Sequence, residues 1–107
     1  MMVKVYVSCK NYREAKKIGL ALLKKRLAAC CSIIPRADSF YFWPPASGKI
    51  SKNADAILLV ATSQNKYSAI EREVKKLHSY KVPCILEIPV SRVSKTYLKW
   101  LNETVDR

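Results

Sequence analysis

Hydrophobic and polar positions change period several times along the chain, and each change marks an element. Val3, Val5 and Val7 alternate with Lys4, Tyr6 and Ser8, which predicts a strand from Val3 to Cys9 with one buried face. Asn11 stands three residues before Glu14, as in a capping box. Ala15, Ile18, Gly19 and Leu22 then follow at helical spacing, predicting a helix from about Asn11 to Ala28. Cys30 to Trp43 is rich in β-branched and aromatic residues, so it reads as a long strand. Pro35 cannot donate to a ladder, so that strand must bend, bulge or run at an edge there. Pro44 to Gly48 reads as a connection, and Ala54 to Thr62 as a third strand. Tyr67, Ile70, Val74 and Leu77 share one face of a helix predicted over Asn65 to Ser79. Val82-Pro83 ends it, Cys84 to Val90 forms a fourth strand, and Ser94 caps a last helix carrying Tyr97, Leu98, Trp100 and Leu101.

The order strand, helix, strand, strand, helix, strand, helix is satisfied by an α+β, ferredoxin-like split βαβ sandwich with a C-terminal helix, occupying 1–107 as a single domain. Two helices cover one face of its sheet. The third strand is apolar on both faces, and Tyr6 and Ile85 are expected to join the uncovered side. So large an apolar patch calls for a cover, and a second copy of the chain is the simplest one.

Composition changes this picture in three ways. A hydrophobic fraction of 50% over 107 residues supports a packed core and argues against disorder. No apolar run approaches the ~18 residues of a membrane span, and no secretory leader is seen, so a soluble cytoplasmic protein without membrane contact is expected. Cys9, Cys30, Cys31 and Cys84 form no CxxC pair, and adjacent Cys30 and Cys31 must point to opposite sheet faces. Buried, reduced thiols are expected rather than a structural zinc site. The net charge of +12 predicts attraction to anions and says nothing about fold.

Several stretches also form a recognisable set. Leu27-Ala28-Ala29-Cys30 continues through Ile33, Ile34 and Pro35 to Ser39, Tyr41 and Trp43. Gly48-Lys49-Ile50 leads into the next strand, His78-x-Tyr80-x-Val82-Pro83 follows helix two, and Tyr97-Leu98-Lys99-Trp100-Leu101 lies near the end. In order and spacing these stretches resemble the CutA family of divalent-cation tolerance proteins across nearly the whole chain. The resemblance implies a compact homotrimer with the ferredoxin-like fold, burying the second sheet face between subunits. It implies a non-enzymatic role in tolerance to divalent cations, notably copper, with a metal ion or small ligand bound between subunits. No obligatory cofactor is implied, copper or another divalent cation being the candidate. The chain departs from the family pattern at Lys81 and Cys84, where glutamates are common, and at Ser51 to Ala54, which replace an acidic stretch with Asp55 alone retained. Ala61 stands where a lysine is often found.

His78, the only histidine, falls near the end of helix two, where capping or core packing explains it without a ligand. As a metal ligand it would take Cys84 and Cys9 as partners, with Glu87 a further candidate, and thiolates would favour monovalent copper. Tyr41, Trp43, Tyr80 and Trp100 are expected to pack the trimer or line a cleft between subunits. Lys10, Arg13, Lys17 and Lys24 form a basic surface on helix one. The alternative function is a regulatory module, like the PII-type signalling proteins, that takes a phosphorylated metabolite or nucleic acid on this surface. No catalytic triad, carboxylate pair or Gly-rich phosphate loop is present, and no RNA-binding consensus occurs on the sheet. A small anionic ligand is therefore expected before nucleic acid, although charge-driven contact insensitive to sequence stays open.

Overall fold

The computed structural model describes residues 1–106. Seven principal elements follow in order: β1 (Met2–Cys9), α1 (Tyr12–Lys24), β2 (Cys30–Phe42), β3 (Ile50–Ser63), α2 (Tyr67–Leu77), β4 (Ile85–Pro89) and α3 (Lys95–Val105). The strands form one four-stranded sheet in the order β2-β3-β1-β4, every neighbouring pair antiparallel. This is the mixed α+β, ferredoxin-like architecture expected from the sequence.

The alternation in β1 works as predicted. Val3, Val5, Val7 and Cys9 are buried beneath α1 and α2, against Ala15, Ile18, Leu22, Ile70 and Val74. Gly19 lets α1 approach the sheet closely, since a Cβ there would stand 3.2 Å from Leu58. A smaller core lies on the opposite face, where Leu101 and Val105 of α3 pack with Met2, Ala29 and Ala61. The two vicinal thiols divide between these cores, Cys31 joining the larger and Cys30 the smaller.

Helix α1 stops earlier than its pattern suggests. Arg26 takes φ 58°, its N–H reaches Leu23 O at 3.0 Å, and the Leu27 N–H reaches Leu22 O at 3.0 Å. This is a Schellman stop, which usually carries glycine because a Cβ is disfavoured in the left-handed region. Leu27 folds back onto the core and completes it. We expect Arg26→Gly to stabilise the protein by about 1 kcal/mol, read as a higher urea midpoint; a lower midpoint would show that the Arg26 contact to Thr104 O at 3.3 Å matters more.

Pro35 sits inside a register shift between Ile34 and Ala37, the bulge its missing N–H requires. Beyond it, Ala37–Phe42 pairs with Ile50–Asp55 as a two-stranded arm that outreaches β1, which meets β3 only from Ala56 onward. The longest dimension of the molecule is accordingly 47 Å against 26 and 23 Å.

The parity of β4 corrects one expectation. Val7 pairs with Ile85, and Ile85 packs into the helix-side core, whereas Tyr6 pairs with Leu86. Leu86 and Ile88, not Ile85, lie on the open face beside Tyr6, because side chains alternate along a strand. Ile34, Leu86 and Ile88 remain 47%, 41% and 42% exposed there, beyond the reach of α3.

Candidate metal group and arm cleft

Two arrangements of chemically active side chains lie on opposite sides of the end of β1. The first is buried. Asn11 caps α1 by accepting the Glu14 N–H at 2.9 Å, as its spacing predicts. The Glu14 carboxylate turns back to accept the Lys10 N–H at 3.0 Å through Oε1. Its other oxygen, Oε2, accepts the Ser79 N–H at 3.0 Å, tying the start of α1 to the segment after α2. His78 stands at the end of α2, its N–H on Val74 O, with its side chain fully buried. Its Nε2 lies 2.6 Å from Ser8 O, and Nδ1 accepts the Tyr80 N–H at 3.0 Å. Those partners assign the ring proton to Nε2.

Cys9, Glu14 and His78 thus bring sulfur, oxygen and nitrogen donors to within 4.8 Å of one another. Burial, with the nearby Glu14 and Asp55 charges, pushes the Cys9 thiol up to about 12. Burial also opposes ionisation of Glu14, but the hydrogen bonds from Ser79 and Lys10 and the nearby His78 outweigh it and hold the carboxyl below its ordinary value. The donor types suit a borderline or soft transition ion. Metal–ligand bonds of ~2.0–2.3 Å would draw the three inward by about an ångström, displace the thiol proton and take the His78 Nδ1 lone pair from the Tyr80 N–H. Sequence reading took Glu14 only as a helix cap. Its second oxygen, free in an ordinary capping box, was the available signal.

Cys84 does not join this group. The Ser8 N–H donates to Cys84 O at 3.2 Å, so Cys84 shares the open face with Ser8, while Cys9 is buried beneath the helices. Sheet parity puts the two thiols on opposite faces, correcting the expectation that Cys84 and Cys9 act together with His78. Glu87 is opposite Val5, roughly 13 Å along β1 from Cys9.

The second arrangement is a cleft of about 510 Å³ where the arm meets the segment after α2. Tyr41, Trp43, Tyr80, Lys81, Ser8 and Cys84 line it. At its floor Asp55 Oδ1 accepts from Tyr80 Oη at 2.8 Å and from Asn53 Nδ2 at 2.7 Å, and Asn53 also donates to Tyr80 Oη at 2.8 Å. Burial and the bond to Asp55 push the Tyr80 phenol up to about 12, so it stays a donor at neutral pH. Three of the four aromatic residues singled out in the sequence meet here. Trp100 does not: its ring meets Tyr97 in a tilted contact at 5.4 Å on α3, which packs at the opposite end of β3. Lys10, Arg13 and Lys17 line a separate small cleft with Leu77, and Lys24 follows near the end of α1.

The family model for CutA1 divalent ion tolerance proteins matches residues 3–104. The chain belongs to the CutA1 family. It is 39% identical over 102 residues to the divalent-cation tolerance protein CutA of Archaeoglobus fulgidus, covering 95% of this chain and 96% of that protein. A solved A. fulgidus structure, named a periplasmic divalent cation tolerance protein CutA, superposes with a TM-score of 0.92 at 38% identity, covering 98% of this chain and 99% of that one. The CutA homologue of Xenopus laevis is 34% identical over 94% of this chain, which spans only 64% of that longer protein. The periplasmic naming of the A. fulgidus relative overturns the cytoplasmic expectation for this CutA1-family chain. Of the thiols expected to be buried, Cys9 is buried and Cys30 and Cys31 are half-buried, but Cys84 is exposed at the cleft because it precedes β4 on the open face. Among the described residues, no helix is long and apolar enough to cross a membrane.

Proposed function

We propose that this CutA1-family chain acts as a non-catalytic homotrimer that binds a copper-class ion through Cys9, Glu14 and His78, beside a ligand cleft at the subunit boundary. The observation that carries the ion reading is the meeting of three donor types, from β1, α1 and the end of α2, within 4.8 Å. The assembly reading is supported by the uncovered face around Ile34, Leu86 and Ile88 and by the exposed arm residues Phe40, Tyr41, Phe42 and Trp43. The cleft opens on that same side, through Ser8 and Cys84, so a neighbouring copy would close it.

Binding to this group must release the Cys9 proton, because burial pushes the metal-free thiol up to about 12. Affinity for copper should therefore rise about tenfold per pH unit across neutrality. Calorimetry in buffers of different ionisation enthalpy counts the proton directly. Cys9→Ser and His78→Ala should remove binding and proton release together, while Cys84→Ser should leave both in place. Binding that survives Cys9→Ser but not Cys84→Ser would move the ion to the cleft and refute the buried group. Because His78 is fully buried, its variant is read only if its melting profile remains cooperative.

A further inference from the structure

The positive charge is not spread evenly over α1. Lys10, Arg13, Lys16, Lys17 and Lys24 are exposed on or just before this helix, and none has a carboxylate within 4.0 Å among the described residues. Between Lys10 and Arg26 the sequence holds one acid, Glu14, and that side chain is turned inward onto the Lys10 and Ser79 backbone. Lys25 and Arg26 are engaged elsewhere, with Glu73 at 2.8 Å and Thr104 O at 3.3 Å. The outer face of α1 is therefore basic, with no exposed acid of its own.

We propose that this face binds the phosphate backbone of a nucleic-acid duplex without regard to base sequence. The sequence alone did not favour such a partner; the inward turn of Glu14 changes that, because it leaves the ridge without local neutralisation. From Arg13 to Lys24 the helix rises ~16 Å, the axial length of about five base pairs of a duplex. On this rigid helix Arg13, Lys17 and Lys24 fall in one row, with Lys16 to one side of it. The helix layer lies on the sheet face opposite Leu86 and Ile88, so the ridge stays exposed whether or not copies associate through the open face. Lys10, Arg13 and Lys17 also border a small concavity shared with Asn11, Glu14 and Leu77, so phosphates are expected along the outer ridge and not in that concavity. Aromatic side chains are almost absent from the ridge, Tyr12 excepted, so stacking on bases contributes little and sequence is not read.

The test is fluorescence anisotropy with two labelled duplexes of unrelated sequence, titrated with the whole protein at several salt concentrations. Both should bind alike at about 50 mM salt and lose about two orders of magnitude by about 200 mM. Replacing Arg13, Lys16 and Lys17 together by Gln should flatten the log–log salt slope by about 2 to 3. Replacing Arg92, Lys95 and Lys99 by Gln removes equal charge around α3 and should leave the slope unchanged. Lys24→Glu serves as a second ridge variant should the triple one fold poorly. Absence of duplex binding at about 50 mM salt, or equal loss in the α3 control, would overturn the proposal. So would retention on phosphatidylserine vesicles in place of duplex.

Discussion

Glu14→Ala is expected to destabilise the protein by about 3 kcal/mol at pH 7, far more than loss of an ordinary helix cap. The carboxylate is 8% exposed and accepts two backbone N–H groups from separate parts of the chain. Removing it strands both donors and unties the α1 start from the segment that positions His78 and Tyr80. The effect should carry a pH signature. The folded-state pKa of Glu14 is lowered, so its contribution is fully present above the ordinary glutamate value of 4.5 and is lost as pH falls through the folded value. The gap between wild type and variant in denaturant unfolding should therefore be constant near neutrality and narrow under acid conditions. A gap independent of pH would mean that packing, not the charge, carries the effect. Glu14→Gln sharpens the comparison, because an amide offers an acceptor to one of the two donors and not to both.

The second large effect concerns the open face. Leu86→Asp combined with Ile88→Asp should reduce the assembled protein to single chains and lower its melting temperature sharply. In an isolated chain these residues are already 41% and 42% exposed, and replacing them would cost little. If neighbouring copies bury them, each substitution forces a carboxylate into an apolar contact, at about 3 kcal/mol or more per site. Size-exclusion chromatography with light scattering distinguishes the outcomes. A double variant that keeps the mass of wild type would remove this face from the interface. Ile85, which packs toward the helices, offers no such test, since replacing it damages the core whatever the assembly.

The sheet was legible because its pattern is physical. Val3, Val5 and Val7 alternate since one face of β1 is buried, and Pro35 forces the bulge before Ala37. Elsewhere the sequence misled for identifiable reasons. Ser51, Lys52 and Asn53 show no hydrophobic alternation, yet they belong to β3, which starts at Ile50; the arm is held by backbone pairing with β2, with Ile50, Lys52 and Ala54 facing solvent and Asn53 turned to the polar cleft floor. Helix α1 lacks a glycine stop, and Arg26 adopts the left-handed conformation in its place. Ile85 and Leu86 are both apolar, so the face each occupies was set by pairing with β1 and not by composition.

The candidate site was half visible. Cys9 and His78 were singled out and do meet, but Glu14 was hidden behind its capping role, and Cys84 proved to be on the other side of the sheet. Likewise Tyr41, Trp43 and Tyr80 converge on one cleft, while Trp100 is held at the far end of β3 by the packing of α3. Such distances between remote segments depend on sheet parity and on which end of a strand a helix covers. Neither is written in local spacing.

Assembly through the open sheet face is the claim on which the cleft and its closure depend. Static light scattering of the wild-type protein across a hundredfold range of concentration tests it most directly. The account predicts a constant mass near three chains. A mass near one chain throughout would contradict it, because Ile34, Leu86, Ile88 and the aromatic arm would then face water without a partner.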